Sequence, residues 1–174
     1  MLWQAPQLGH LAGADGTIVG QRGTGKPDDW TMVTALDAAS GRERWKVMQT
    51  LPQSGDLVTG DGLIVVTDQI NTQTSSEPVL IAYELSSGAK RWHAPRPRDR
   101  YLAPQRISGT SLVLLGDREV EVLSTTDGAT IWSKKEPFGS PDNIQPQMIS
   151  VGSNGAAVFV ASNSVPAACA PNCD

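Results

Sequence analysis

Apolar residues in this chain fall in short blocks with no helical period, and each block follows a turn-forming pair. Asp15-Gly16, Asp61-Gly62, Gly109-Thr110 and Asn154-Gly155 stand ahead of the runs TIVGQ, LIVVTD, SLVLLGD and AAVFVAS. Runs of this length, rich in Val, Ile, Leu and Thr and bounded by Gly and Asn, are strands. The pattern predicts four antiparallel strands in meander order at 8–12, 17–21, 32–37 and 43–48, and four more at 56–59, 63–68, 79–84 and 90–93. A third set is expected at 105–107, 111–116, 120–124 and 130–133, and a further unit opens with strands at 147–151 and 156–162.

One phrase recurs in phase with these units. Residues 35–45 (ALDAASGRERW), 82–92 (AYELSSGAKRW) and 122–132 (VLSTTDGATIW) each read as a short strand, a turn with Gly near its end, and a second strand carrying Trp. Trp45, Trp92 and Trp132 are spaced by 47 and 40 residues, and Trp3 lies 42 before Trp45, so only Trp30 stands outside the series. A fixed phrase at this period marks an array of supersecondary units. Gly41, Gly88 and Gly128 supply the positive φ that such a hairpin turn needs, and the Asp, Ser or Thr before each can bond back onto the turn backbone.

Four-stranded units repeated radially are propeller blades. The phrase resembles the tryptophan-docking motif of pyrroloquinoline-quinone-type β-propeller repeats, Ala-x-Asp-x-x-(Thr/Ser)-Gly-x-x-x-Trp. Ala35, Asp37, Ser40, Gly41 and Trp45 match throughout; Ala82, Ser87, Gly88 and Trp92 match with Glu84 in place of Asp; the third copy keeps Gly128 and Trp132. The resemblance implies an all-β propeller arc with blades at 8–48, 54–94 and 104–133, a last strand of a preceding blade at 1–5, the first two strands of a further blade at 147–162, and a loop or tail at 163–174. It also implies that Gly41, Trp45, Gly88, Trp92, Gly128 and Trp132 dock one blade on the next, with Trp45, Trp92 and Trp132 largely buried and Trp30 more exposed. A small closed ring, in which the two ends share a fourth and deficient blade, is the competing arrangement.

Composition narrows the function without naming it. A net charge of −4 and a pI near 5.1 argue against nucleic acid as a partner. No run of eighteen apolar residues exists, and the opening Met-Leu-Trp-Gln has neither the basic nor the apolar region of a signal peptide. Seventeen Gly and twelve Pro suit a turn-rich chain, with Pro expected between strands. Cys169 and Cys173, the only cysteines, are read as a local disulfide of an oxidising compartment, with free thiols or a metal as alternatives.

Two local features compete with a purely structural reading. Residues 20–26 fit the Gly-x4-Gly-Lys opening of a phosphate-binding loop, but Pro27 stands where Ser or Thr should hold magnesium, so this is a blade loop. The basic stretch of Lys90, Arg91, Arg96, Arg98, Arg100 and Arg106, with His93 and Tyr101, reads as an extended connection whose arginines stay solvated, or else as a contact for an acidic partner. Quinoprotein dehydrogenases share the repeat. However, the chain has no adjacent Cys pair, His10 and His93 are its only histidines, and Asp15, Asp61 and Asp127 all precede Gly in turns.

The expected function is thus a non-catalytic propeller module. The chain resembles BamB-type scaffold proteins and propeller sensor domains, which bind protein partners through loops in the bacterial cell envelope. No catalytic, cofactor or metal residues are assigned. The alternative is a fragment of a quinone-dependent dehydrogenase.

Overall fold

A computed structural model describes residues 8–22, 32–50, 56–71, 74–98, 102–116, 119–135, 144–151 and 157–163. Trp3, Trp30, Arg100, Tyr101, Cys169 and Cys173 lie outside the described residues. So does most of the glycine-rich segment that mimics a phosphate loop; its first residues, Gly20 to Arg22, end a strand.

Among the described residues every element is a strand. The first sheet holds β1 (Gly9–Ala14), β2 (Thr17–Arg22), β3 (Met32–Asp37) and β4 (Glu43–Met48). The second holds β5 (Leu57–Gly60), β6 (Leu63–Asn71), β7 (Ser76–Glu84) and β8 (Lys90–Pro95). The third holds β9 (Ala103–Ser108), β10 (Ser111–Leu115), β11 (Glu119–Ser124) and β12 (Thr130–Lys135), and β13 (Ile144–Val151) pairs with β14 (Ala157–Asn163). Each four-stranded sheet is an antiparallel meander in chain order. The first strands β1, β5 and β9 lie side by side, with β13 against β9, so consecutive sheets share one inner side. This is a β-propeller arc.

Turn chemistry sets the register. Asp15 and Asp61 adopt positive φ (49° and 47°) ahead of glycines that do the same, as the two-residue turns of twisted hairpins require. Pairings such as Val19↔Ala35 and Val65↔Ala82 then follow.

Strand period explains why the runs are apolar on both faces. In the second sheet Ile64, Val66, Ile81 and Tyr83 pack with Val19, Val33 and Trp45 of the first sheet. The alternate residues Leu63, Val65, Leu80 and Ala82 pack with Leu112, Leu114 and Leu123 of the third. A sheet sandwiched between two others buries both sets of its alternating side chains.

Proline does not keep to the connections as expected. Pro78, Pro95, Pro104 and Pro146 all lie within strands. Pro95 and Pro104 sit on the outer and inner edge strands of their sheets, where no further strand asks for an N–H.

Candidate functional site at the turn face

The recurring phrase builds the same turn three times. Asp37 N–H donates to the Arg42 carbonyl (2.8 Å), and Gly41 N–H returns to the Asp37 carbonyl (2.8 Å). Glu84 and Gly88 repeat this with Ala89 at 2.8 and 2.8 Å, and Ser124 and Gly128 with Ala129 at 2.8 and 2.9 Å. The residue after the opening position ties each turn to the other turn of its sheet: Ala38 to the Gly16 carbonyl (2.9 Å), Leu85 to Gly62 (2.8 Å) and Thr125 to Thr110 (3.0 Å).

Tryptophan crosses from one sheet to the turn of the next. The Trp45 indole N–H donates to the Leu85 carbonyl at 2.8 Å, and that of Trp92 to the Thr125 carbonyl at 2.7 Å. Each ring lies against the glycine of the receiving turn. A Cβ on Gly88 would stand 2.7 Å from Trp45 Cδ2, and one on Gly128 would stand 2.7 Å from Trp92 Cε3. These two glycines therefore combine positive φ (73° and 76°) with a face that must carry no side chain. A second link joins the inner turns, where Gly109 N–H donates to the Asp61 carboxylate.

Trp132 departs from the expectation of burial. It is 37% exposed, against 8% and 7% for Trp45 and Trp92. In the first two sheets the acceptor is the third-to-fourth-strand turn of the following sheet, and β13 and β14 are the elements described after β12.

A one-residue bulge precedes each Trp. Ala35 faces Trp45 while Leu36 faces Glu43, so Arg44 is the extra residue; Arg91 and Ile131 take the same place in β8 and β12. A bulge re-aims the side chain it carries. Arg44 reaches Asp37 Oδ2 at 2.6 Å and Thr17 Oγ1 at 2.8 Å, and Arg91 reaches Glu84 Oε1 at 2.9 Å. The Arg44 hydrogen bond, followed by those of the Ser40 hydroxyl and N–H, holds the Asp37 carboxyl well below the usual carboxylate range. Arg91, then Ser87, lowers that of Glu84. In the third copy acid and base have both gone, replaced by Ser124 and Ile131, and Asp127 is lowered chiefly by the Ala129 N–H.

The opposite ends of these strands carry another repeated contact. Gln49 and Arg96 each stand four residues after their Trp. Buried Gln49 accepts from Gln21 (3.1 Å) and donates to the Thr67 carbonyl of the second sheet (3.3 Å). Arg96 forms an ion pair with Glu121 of the third sheet, which also accepts from Thr130 at 2.6 Å. Their side chains are 11% and 6% exposed. This corrects the reading of Arg96 as solvated. Arg91 is paired as well, whereas Arg98 and Arg106 are exposed.

A polar cleft of about 340 Å³ opens where the turns of the second and third sheets meet, lined by Asp61, Glu84, Ser86, Arg91, Thr125 and Thr126. The structure thus brings Trp45 to Gly88 and Trp92 to Gly128, while Gly41 holds the matching turn of the first sheet. The sequence reading missed the Leu85 and Thr125 acceptors, the bulge arginines and the Arg96–Glu121 pair. A signal existed for the arginines, since Arg44 with Asp37 and Arg91 with Glu84 change together to Ile131 and Ser124. Backbone acceptors leave none.

Comparison with known proteins places the repeat. Residues 30–169 match the family model described as outer membrane protein assembly factor BamB. The curated protein of that name from Nitrosomonas eutropha is 28% identical over 106 residues, which are 61% of this chain and 24% of the relative. The chain therefore spans about a quarter of the length of that relative. Among solved structures, the computationally designed Ika8 protein is similar with a TM-score of 0.56 at 13% identity, over 89% of this chain and 46% of that one. Quinohemoprotein alcohol dehydrogenase from Comamonas testosteroni gives 0.52 at 15% identity, over 72% and 20%. These structural likenesses concern the fold alone.

Proposed function

The chain belongs to the family of the outer membrane protein assembly factor BamB, and from that premise we propose that it is a non-catalytic propeller module, a scaffold that binds protein partners in the bacterial cell envelope. The family match across most of the chain carries this reading, and the curated relative named as an assembly factor supports it. The side-chain chemistry is consistent with it. The carboxylates of Asp37 and Glu84 are held by Arg44 and Arg91 of their own hairpins, and that of Asp127 by the turn backbone. Rigid blades that leave their loops free for recognition suit a scaffold. The proposed location is extracytoplasmic, and among the described residues no helix is long and apolar enough to cross a membrane.

In the test, the purified chain is immobilised and titrated with purified outer-membrane protein assembly machinery, while a second sample receives quinone and calcium under visible absorbance. Saturable binding of the machinery with no spectral change or dye reduction by alcohols or sugars is expected. Quinone uptake with substrate-dependent dye reduction, and no binding of the machinery, would overturn the scaffold reading in favour of a dehydrogenase fragment.

A further inference from the structure

We propose that Asp15, in the β1–β2 turn, is a site of spontaneous covalent modification at which the bond to Gly16 becomes an isoaspartyl linkage. The proposal is independent of the scaffold reading.

The reaction needs an untethered side chain and an accessible backbone nitrogen. The glycine N attacks Cγ of the neutral Asp carboxyl, a C–N bond forms, and the hydroxyl leaves as water with the amide proton, closing a succinimide ring. Water then adds at the main-chain carbonyl and breaks its bond to N, so that the chain runs on through Cβ and Cγ. The water lost in the first step is regained in the second, and nothing is oxidised or reduced.

Asp precedes Gly at 15–16, 61–62 and 127–128. The first two pairs are matched: both are exposed, Asp15 and Asp61 have φ of 49° and 47°, and Gly16 and Gly62 have φ of 68° and 74°. Backbone geometry therefore does not separate them, but the carboxylates do. Asp61 accepts from the Gly109 N–H of the third sheet, a charge-assisted bond that must break before Cγ turns toward Gly62. Among the described residues no hydrogen bond or ion pair holds the Asp15 carboxylate. The third pair is held at both ends. Asp127 accepts from the Ala129 N–H at 3.1 Å, Gly128 donates its N–H to the Ser124 carbonyl at 2.9 Å, and the Trp92 ring covers that glycine.

The linkage would act on the turn face. It adds a backbone carbon to a turn of two residues between Ala14 and Thr17, and the Gly16 carbonyl is the acceptor for Ala38 N–H at 2.9 Å. Modification thus displaces the tie between the two turns of the first sheet.

The folded chain is aged in mildly acidic buffer beside the same chain unfolded in guanidinium, and electron-transfer fragmentation scores isoaspartate at each pair. Deamidation at Asn154-Gly155 is told apart by its added mass. The ratio of folded to unfolded rate at Asp15 should exceed that at Asp61 and at Asp127 by at least about tenfold, which is about 1.4 kcal/mol. In the isolated modified fraction the Ala38 N–H should exchange faster with deuterium. A smaller separation of the ratios, or unchanged exchange at Ala38, would overturn the proposal. None of these outcomes touches the binding titration that tests the scaffold reading.

Discussion

The Trp92 indole donates its N–H to the carbonyl of Thr125 at 2.7 Å, and the same Thr125 donates its own N–H to Thr110 at 3.0 Å. One residue therefore joins three things: the outer strand of the second sheet, the β9–β10 turn and the β11–β12 turn. Leu85 does the same for Trp45, taking the indole at 2.8 Å and bonding Gly62 at 2.8 Å. Docking and the tie between turns share one residue, so loss of either loosens both.

The two kinds of Trp position should differ in stability. Trp92→Ala should cost on the order of 3–5 kcal/mol by removing a buried aromatic, while Trp132→Ala, at the more exposed position, should cost less than about half of that. Urea denaturation of both variants measures the difference. Equal costs would show that exposure does not separate the two sites.

Glycine replacements separate backbone strain from ring contact. Gly62 and Gly88 have nearly equal φ (74° and 73°), yet a Cβ on Gly62 meets nothing within 4 Å while one on Gly88 meets Trp45 at 2.7 Å. Gly62→Ala should cost roughly 1–2 kcal/mol from the left-handed backbone alone. Gly88→Ala should cost clearly more and should also perturb Trp45 fluorescence. A Gly88→Ala chain as stable as Gly62→Ala would contradict the ring contact.

The Arg96–Glu121 pair should show a strong asymmetry between single and double replacement. Arg96→Met or Glu121→Leu alone leaves a largely buried charge without its partner and should cost about 3–5 kcal/mol, whereas the two together should be close to neutral. A double-mutant cycle by chemical denaturation reads the coupling. Additive single effects would mean that the two side chains do not act as a pair.

Two groups give pH dependence of opposite sign. Glu84 is depressed by Arg91, so the pair's contribution is present above the ordinary glutamate value and is lost as pH falls through the folded value. Carbon NMR of the Glu84 carboxyl should show a low midpoint that rises toward the ordinary value in Arg91→Ala. Tyr83 is pushed up to about 12 by burial and then by Asp68, so its contribution is full below pH 10 and declines between 10 and about 12. Phenolate absorbance should show Tyr83 resisting ionisation until the chain unfolds.

Strand positions and turns were legible in the sequence because both are local. Expected strands at 32–37 and 43–48 coincide with β3 and β4, and β7 and β8 differ from expectation only by extension at the ends away from their shared turn. Alternation of apolar residues and a glycine able to take positive φ act within a few residues, so neither needs knowledge of the neighbouring sheet. Cross-sheet partners were less legible. Arg96 in a Pro-rich basic stretch reads as solvated, and only the folded chain brings Glu121, 25 residues on, against it.

The sequence by itself determined the repeat, its phase and the blade class, since periodicity and turn chemistry leave one arrangement of hairpins. Tertiary structure decided which carbonyl the Trp45 and Trp92 indoles meet, which glycine face each covers, which arginine is largely buried and which Trp is more exposed. The acceptors are main-chain oxygens, and every residue has one. Only the packing of one sheet on the next selects Leu85 and Thr125 from the rest, and Trp132, at the same place in the third sheet, is 37% exposed.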